Sequence, residues 1–219
     1  MAAAQGFFVT GTGTEVGKTV VAAVLAHNLR RRGSSVAVFK PAVTGLDEPV
    51  ETDHAVLRRA AGSEQSDDEI VPYRYDPPAS PHLAAAQAGE EIDPERLRST
   101  AGEAAASAER LVCEGVGGLL VPLAGSYLVR DLAVDLGLPL VVAASPGLGT
   151  INHTLLTIEA ARAAGLTIAA IVLTPWPAQP SVIESSNQET IERLGEVPVR
   201  TLPQLDLSAP RSWPELEIG

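Results

Sequence analysis

The chain has 219 residues, 45% of them hydrophobic and 4% aromatic, with a net charge of −11 from 16 basic and 27 acidic residues. That length and aliphatic bias suit one α/β domain built on buried parallel strands, and the absence of a basic face argues against a nucleic-acid binder. A lone cysteine, Cys113, excludes an intrachain disulfide, and no stretch approaches the length of a membrane span, so a cytoplasmic protein without a membrane partner is expected.

In chain order, Phe7–Thr10 is a predicted strand ending in a Gly/Thr loop. A helix follows over Gly17–Arg32, with Val20, Val24, Leu25 and Leu29 apolar along one side, Arg30–Arg32 at its end and Gly33 as its stop. Val36–Phe39 reads as a second buried strand, and Thr52 as the cap of a helix reaching about Ala61. The polar, proline-rich stretch from Gly62 to Pro81 reads as loop, with Ser80 as a helix cap. Ala84–Ala88 and Pro94–Arg110 are predicted helices, and Leu111–Cys113 and Leu140–Ala143 predicted strands. A helix over Ile151–Ala164, a strand over Ile168–Leu173, a helix over Val182–Leu194 and a short strand over Pro198–Leu202 complete the alternation. The tail after Asp206, with Pro210 and Pro214, is expected to lie along the surface. The fold class implied is α/β: a mostly parallel sheet with helices on both faces, in one domain spanning residues 1–219.

Gly11-Thr12-Gly13-Thr14-Glu15-Val16-Gly17-Lys18-Thr19 lies between a strand and a helix. Glycines let the backbone wrap phosphates with N–H donors, and the helix N-terminus adds partial positive charge. Lys18 is placed to reach the β- and γ-phosphates and the Thr19 hydroxyl to ligate Mg²⁺. Gly11 and Gly17 enclose five residues, one more than the usual loop of this kind.

Lys40 stands at the end of the second strand, in Lys40-Pro41-Ala42-Val43-Thr44-Gly45, where it faces the crevice in which α/β folds bind ligands. Glu114, before Gly115-Val116-Gly117-Gly118, is a second candidate anchor for Mg²⁺, and Asp53 a third, with Asp47, Glu48 and Glu51 as rivals in the same loop. Cys113 reads as a small apolar filler, His27 as structural or exposed, and His27, His54, His82 and His153 lack metal-site spacing. Gly149–Asn152 reads as a helix start capped by Thr150 or Asn152, with free N–H groups.

Taken together, Thr10–Thr19, Lys40–Gly45, Thr52-Asp53, Ser80–Ala84, Glu114–Gly118 and Leu148–Leu156 resemble the dethiobiotin synthetase family in family order. The resemblance implies a P-loop, NTPase-like fold and an ATP-dependent cyclo-ligase of biotin biosynthesis. Such an enzyme takes 7,8-diaminopelargonate and CO₂, passes through a carbamic–phosphoric mixed anhydride, closes the ureido ring and releases ADP and phosphate. It implies Mg²⁺ held by Thr19, Asp53 and Glu114, and Lys40 and Lys18 as the catalytic cations. Gly13, Thr14, Glu15, Val16, Gly17, Lys18, Thr19 and Val20 become the nucleotide loop, with Gly115, Val116 and Gly117 beside it. Thr14, Lys40 and Thr44 become substrate contacts; Gly149, Thr150, Ile151 and Asn152 hold the substrate carboxylate from the neighbouring subunit of a homodimer. Thr174 and Pro175, with Pro203, Gln204 and Leu205, take the nucleobase side. The family often has an asparagine where this chain has Thr174, which puts adenine selectivity in question and leaves other triphosphates open. The competing readings are another P-loop amidoligase, which usually carries a glutamine-handling domain for which these 219 residues are expected to have no room, and a partitioning-type ATPase, which has an extra lysine where this chain reads Thr12-Gly13-Thr14.

Overall fold

The computed structural model describes residues 5–46 and 51–218. β1 (Gly6–Gly11) leads through the glycine loop into α1 (Lys18–Arg31), then β2 (Val36–Phe39), the short β3 (Val43–Thr44), α2 (Asp53–Ala61), α3 (Asp67–Ile70) and the short β4 (Arg74–Tyr75). α4 (Pro81–Gln87) and α5 (Pro94–Ser107) precede β5 (Arg110–Glu114), a small hairpin of β6 (Pro122–Ala124) and β7 (Tyr127–Leu128), and α6 (Val129–Leu136). β8 (Leu140–Ala144), α7 (Thr150–Ala163), β9 (Ile168–Trp176), α8 (Val182–Gly195), β10 (Val199–Pro203) and a 3-10 turn at Pro210–Ser212 follow.

The central sheet is parallel and runs β10-β9-β8-β1-β5-β2. Its strands are near-continuous aliphatic runs because both faces are covered. Neighbouring residues along a strand point to opposite faces. Phe8, Leu111, Cys113 and Leu140 meet Leu97 and Ala101 of α5 and Leu132 of α6. Val9, Val112 and Val141 meet Val21, Val24 and Leu25 of α1. Val142, Ile171, Leu173 and Val199 form a third cluster with Ile158 of α7 and Ile191 of α8. β1 sits between β5 and β8, so connections leave it to both sides, and its C-terminal end opens on the crevice where such sheets bind ligands.

Three expectations are corrected. The stretch from Gly62 to Pro81 holds α3 and β4, and Ile70, Val71, Tyr73 and Tyr75 are buried. α3 starts with a capping box: Ser66 Oγ accepts from Glu69 N–H, and Glu69 Oε2 accepts from Ser66 N–H at 2.6 Å. Gln65 just before it covers the edge of the sheet, accepting from Val38 N–H at 2.8 Å and donating to Val38 O at 3.1 Å. The helix begun at Pro94 ends at Ser107, because Ala108 turns extended and the next residues feed β5.

The third correction concerns the tail, which is part of the core. Trp213 and Leu216 are 3% and 4% exposed and pack with Leu57 and Ala60 of α2 over α1. α1 is therefore buried nearly all round rather than along one side, and His27 lies edge-on to Trp213 at 5.4 Å. Asn28 pins the tail, accepting from Leu216 N–H at 2.7 Å and donating to Pro214 O at 3.4 Å. Thr52 and Ser80 do occupy N-cap positions, but neither side chain makes a capping bond.

Candidate active site

The glycine loop is shaped by what surrounds it. Thr12 N–H donates to Ala143 O at 3.0 Å, tying the loop to the end of β8. A side chain at Gly11 would strike Val16 Cγ2 at 2.6 Å. Gly17, the N-cap of α1, has φ 89°, and a Cβ there would strike Thr174 Cγ2 at 2.5 Å. Only glycine fits that combination. The first N–H groups of α1, from Lys18 onward, have no partner within the helix and face the loop. The Lys18 ammonium folds back over it and donates to Gly13 O at 2.8 Å.

Four elements deliver side chains to one point beside this loop. Thr19 is the second residue of α1, Asp53 the first of α2, Glu114 the last of β5, and Lys40 follows β2. Lys40 N–H donates to Ile70 O at 2.9 Å, which fixes its backbone. Its ammonium lies 2.6 Å from Glu114 Oε1 and 2.9 Å from Asp53 Oδ2. Thr19 Oγ1 is 2.9 Å from both Asp53 Oδ1 and Glu114 Oε1, so its single proton is shared between two carboxylates. Glu114 Oε2 is buried without a partner.

Burial alone would lower the Lys40 pKa, but Glu114 and Asp53 outweigh it and hold the ammonium protonated well above the usual lysine range. Burial likewise pushes against ionisation of Asp53, yet Lys40 and Thr19 bring its carboxyl below the ordinary value. Burial pushes the Glu114 carboxyl up, and Lys40 pulls it part of the way back. Lys18 is lowered, chiefly by its own burial.

These groups line a cleft of about 470 Å³ together with Thr14, Glu15, Gly17, Val20, Thr44, Val116 and Gly117. Glu51 lines it too, whereas Asp47 and Glu48 lie outside the described residues. Gly13 contributes its carbonyl to Lys18, and Val16 packs among the residues around α1. Gly115 faces away from the cleft: its N–H donates to Val9 O at 2.8 Å, and a Cβ there would meet Val129 and Phe8. Thr174 is buried against Gly17 at the end of β9, and Pro203 pairs with Trp176, which places Gln204 and Leu205 at the same rim.

Gly149, Thr150, Ile151 and Asn152 open α7, with left-handed Gly149 as the cap rather than Thr150 or Asn152. They are not in the lysine cleft. α7 instead borders a second cleft, about 450 Å³, on the other side of the glycine loop, lined by Gly11–Thr14, Gly118–Val121, His153, Leu156, Thr157 and Ala160. Sequence reasoning missed this second cleft; the structure marks it by Leu120 and Leu156, apolar yet 53% and 56% exposed, with Leu148 just before α7 at 95%.

The family model described as an AAA domain matches residues 5–210. The chain is 38% identical over 196 residues to the ATP-dependent dethiobiotin synthetase BioD of Bacillus subtilis subsp. natto, covering 89% of this chain and 85% of that protein. It is 42% identical to the enzyme of the same name from Bacillus cereus (strain G9842), covering 89% and 81%. To that of Aromatoleum aromaticum it is 43% identical over 169 residues, covering 75% of each. Among solved structures it resembles a ParA family ATPase from Chlorobium tepidum TLS, with a TM-score of 0.56 at 14% identity over 95% of this chain and 88% of that one. It also resembles the signal recognition particle 54 kDa protein of Aeropyrum pernix K1, again with a TM-score of 0.56 at 14% identity, over 96% and 45%. At that identity the likeness establishes a fold shared with P-loop NTPases. The identity and coverage of the curated relatives settle the family: this chain is an ATP-dependent dethiobiotin synthetase family member.

Proposed function

We propose that residues 1–219 form one catalytic unit that converts 7,8-diaminopelargonate, CO₂ and ATP into dethiobiotin, ADP and phosphate. The observation that carries this reading is the convergence of Lys18 and Lys40 on one cleft with Thr19, Asp53 and Glu114. A switch ATPase needs the first lysine; a second, buried and held between carboxylates, serves a second anion.

One amine of the diamine adds to CO₂ and loses a proton, giving a carbamate. A carbamate oxygen attacks the γ-phosphorus of ATP and ADP leaves. The second amine then attacks the carbonyl carbon of the mixed anhydride, the ring closes and phosphate departs. None of these steps needs a covalent enzyme nucleophile, and Cys113, buried in β5, is not placed to be one. The chain's task is to bring two anions together. Lys18 and the N–H groups at the start of α1 bind the β- and γ-phosphates, and Lys40, fixed by Glu114 and Asp53, faces the carbamate and the transferring phosphoryl group. Thr14 and Thr44 line the cleft as diamine contacts, and Val116 and Gly117 border the nucleotide.

The donor set fits Mg²⁺. Thr19 Oγ1, Asp53 Oδ1 and the carboxylate of Glu114 are hard oxygen donors, and Glu114 Oε2 is free to turn to a cation. Glu15, Glu51, Asp53 and Glu114 also outnumber Lys18 and Lys40 around the cleft, so a triphosphate needs a divalent cation to be tolerated. Bound there, Mg²⁺ neutralises phosphate charge and orients the oxygens.

The opening of α7 completes the site from a second copy of the chain. Thr150 N–H is taken by Gly147 O at 3.3 Å, but the remaining N–H groups at Gly149–Asn152 suit a carboxylate, and this turn adjoins the exposed Leu148 and lies on the helix that presents Leu156, outside the lysine cleft of its own chain. A homodimer burying that surface puts the diamine between subunits. Among the described residues no helix is long and apolar enough to cross a membrane, and we place the enzyme in the cytoplasm.

The deciding experiment is mass spectrometry of the protein with diaminopelargonate, bicarbonate, Mg²⁺ and several nucleoside triphosphates. Dethiobiotin that forms only with enzyme and triphosphate supports the reading; triphosphate hydrolysis indifferent to the diamine and bicarbonate overturns it.

A further inference from the structure

The loop after β10 is held from outside by two side chains that act on consecutive carbonyls. Trp213 Nε1 donates to Asp206 O at 2.8 Å, and Arg59 Nη2 donates to Leu207 O at 2.9 Å. Trp213 is anchored over α1, whereas Arg59 projects from the last turn of α2. Arg59 has a second hold: its Nη1 pairs with Glu51 Oε1, and its Nη2 lies 3.0 Å from Glu51 Oε2. Glu51 belongs to the wall of the lysine cleft, two residues before Asp53. One planar guanidinium therefore ties the wall that carries Asp53 to the loop that continues from Pro203-Gln204-Leu205.

That loop has a defined place relative to the phosphate cradle. Gly17 abuts Thr174, Thr174 leads to Trp176, and Trp176 pairs with Pro203. The path runs along the C-terminal rim of the sheet, away from the end where Lys18 and Lys40 meet. The nucleotide-dependent reading, with a triphosphate on Lys18, directs the nucleoside end to this rim beside Thr174.

We propose that Arg59 is a positioning residue for the nucleotide. It touches no substrate; it fixes the separation between the Asp53 wall and the loop at residues 204–207, so that the phosphate end and the nucleoside end of one molecule are received in register. A bidentate fork suits this task, because it constrains angle as well as distance, and a lysine does not reproduce it. The inference rests on the nucleotide-dependent reading above. Dethiobiotin formation by the unaltered enzyme tests that reading, while the variants below test only this one.

Arg59→Met removes the fork and keeps most of the side-chain length at a position where the side chain is 37% exposed, so the fold is expected to survive with little change in thermal midpoint. The expected result is a rise of about tenfold in KM for ATP with kcat within about twofold, and partial recovery in Arg59→Lys. Equilibrium binding with Mg²⁺ present adds a readout that a merely structural role does not move. ATP affinity falls by a similar factor, whereas inorganic tripolyphosphate, which has no nucleoside end, behaves alike with both proteins. Trp213→Phe, which removes the indole N–H together with part of the buried ring, is expected to shift KM for ATP in the same direction. An unchanged KM for ATP in Arg59→Met overturns the proposal. So does equal weakening of ATP and tripolyphosphate, or a loss confined to kcat.

Discussion

Lys40→Met is the most revealing single substitution, because it separates what the lysine does for the fold from what it does for the reaction. Lys40 is 3% exposed and Glu114 fully buried, and their charged atoms lie 2.6 Å apart. Removing one partner of a buried pair typically costs about 3–5 kcal/mol. Asp53 shares the lysine, but its side chain is 43% exposed and can turn to solvent, so the lower end applies. A loss of ~3 kcal/mol in a chain of this size lowers Tm by about 6–12 °C. In the unaltered protein the raised pKa of Lys40 gives a stabilisation that is complete below the ordinary lysine range and lost only as pH rises through the folded value, so it is flat near neutrality. In the variant, burial and the neighbouring Asp53 push Glu114 up with only the weaker pull of Lys18 to oppose them. A carboxyl harder to ionise in the folded state than in the unfolded one is stabilising at low pH, and that contribution disappears as pH rises through its folded pKa. The deficit relative to the unaltered protein should therefore grow as pH rises above the ordinary carboxylate range, a trend calorimetry can follow. Dethiobiotin formation should fall by at least about 10²–10³-fold while ATP binding through Lys18 largely persists. Equal melting temperatures, or a deficit that does not change with pH, would refute the account of the Lys40–Glu114 pair.

Gly17→Ala forces a left-handed residue with a Cβ into contact with Thr174, and should lower stability by about 1–2 kcal/mol in urea titrations; an unchanged midpoint would contradict the packing described for the loop. With Thr174 on the nucleobase side, as the family resemblance implies, a single hydroxyl replaces an amide, and KM values for ATP, CTP and GTP should lie within about tenfold of each other. A preference for ATP of several orders of magnitude in a competition assay rules that out. Leu156→Glu places a charge on the exposed apolar face of α7, and should shift the protein from dimer to monomer in sedimentation and abolish dethiobiotin formation without lowering Tm.

The parallel sheet was legible because its strands are uninterrupted aliphatic runs separated by helical periods; which strands are neighbours, with β1 between β5 and β8, came only with the structure. What escaped is short or depends on distant partners. β3 and β4 have two residues each and exist by pairing with one another. The hairpin of β6 and β7 and the eight-residue α6 fall in a stretch for which no period was long enough to register. The capping box at Ser66–Glu69 was in plain view, but a proline-rich composition on its far side masked it. The tail was misjudged for a different reason. Pro210 and Pro214 signal irregular backbone correctly, but irregular backbone is not the same as exposed backbone once Asn28 supplies the hydrogen bonds that a strand would otherwise have made.

The same distinction separates the two clefts. Lys18, Thr19, Lys40 and Glu114 each stand at a strand end or helix start, where position in sequence translates into position in space, so the lysine cleft was readable one residue at a time. Spacing alone left Glu51 a rival of Asp53, and only the family resemblance favoured Asp53; in the structure both line the cleft, but Asp53 reaches Lys40 and Thr19 while Glu51 is drawn aside by Arg59. The second cleft has no such local marker. It exists because the back of the glycine loop, the turn at Gly118–Val121 and one face of α7 come together across the sheet, and its apolar residues are the ones left exposed by this chain's own core. A helix that buries Thr150, Thr154 and Ile158 toward its own sheet while presenting Leu156 outward carries two apolar demands, and a single copy of the chain satisfies one of them.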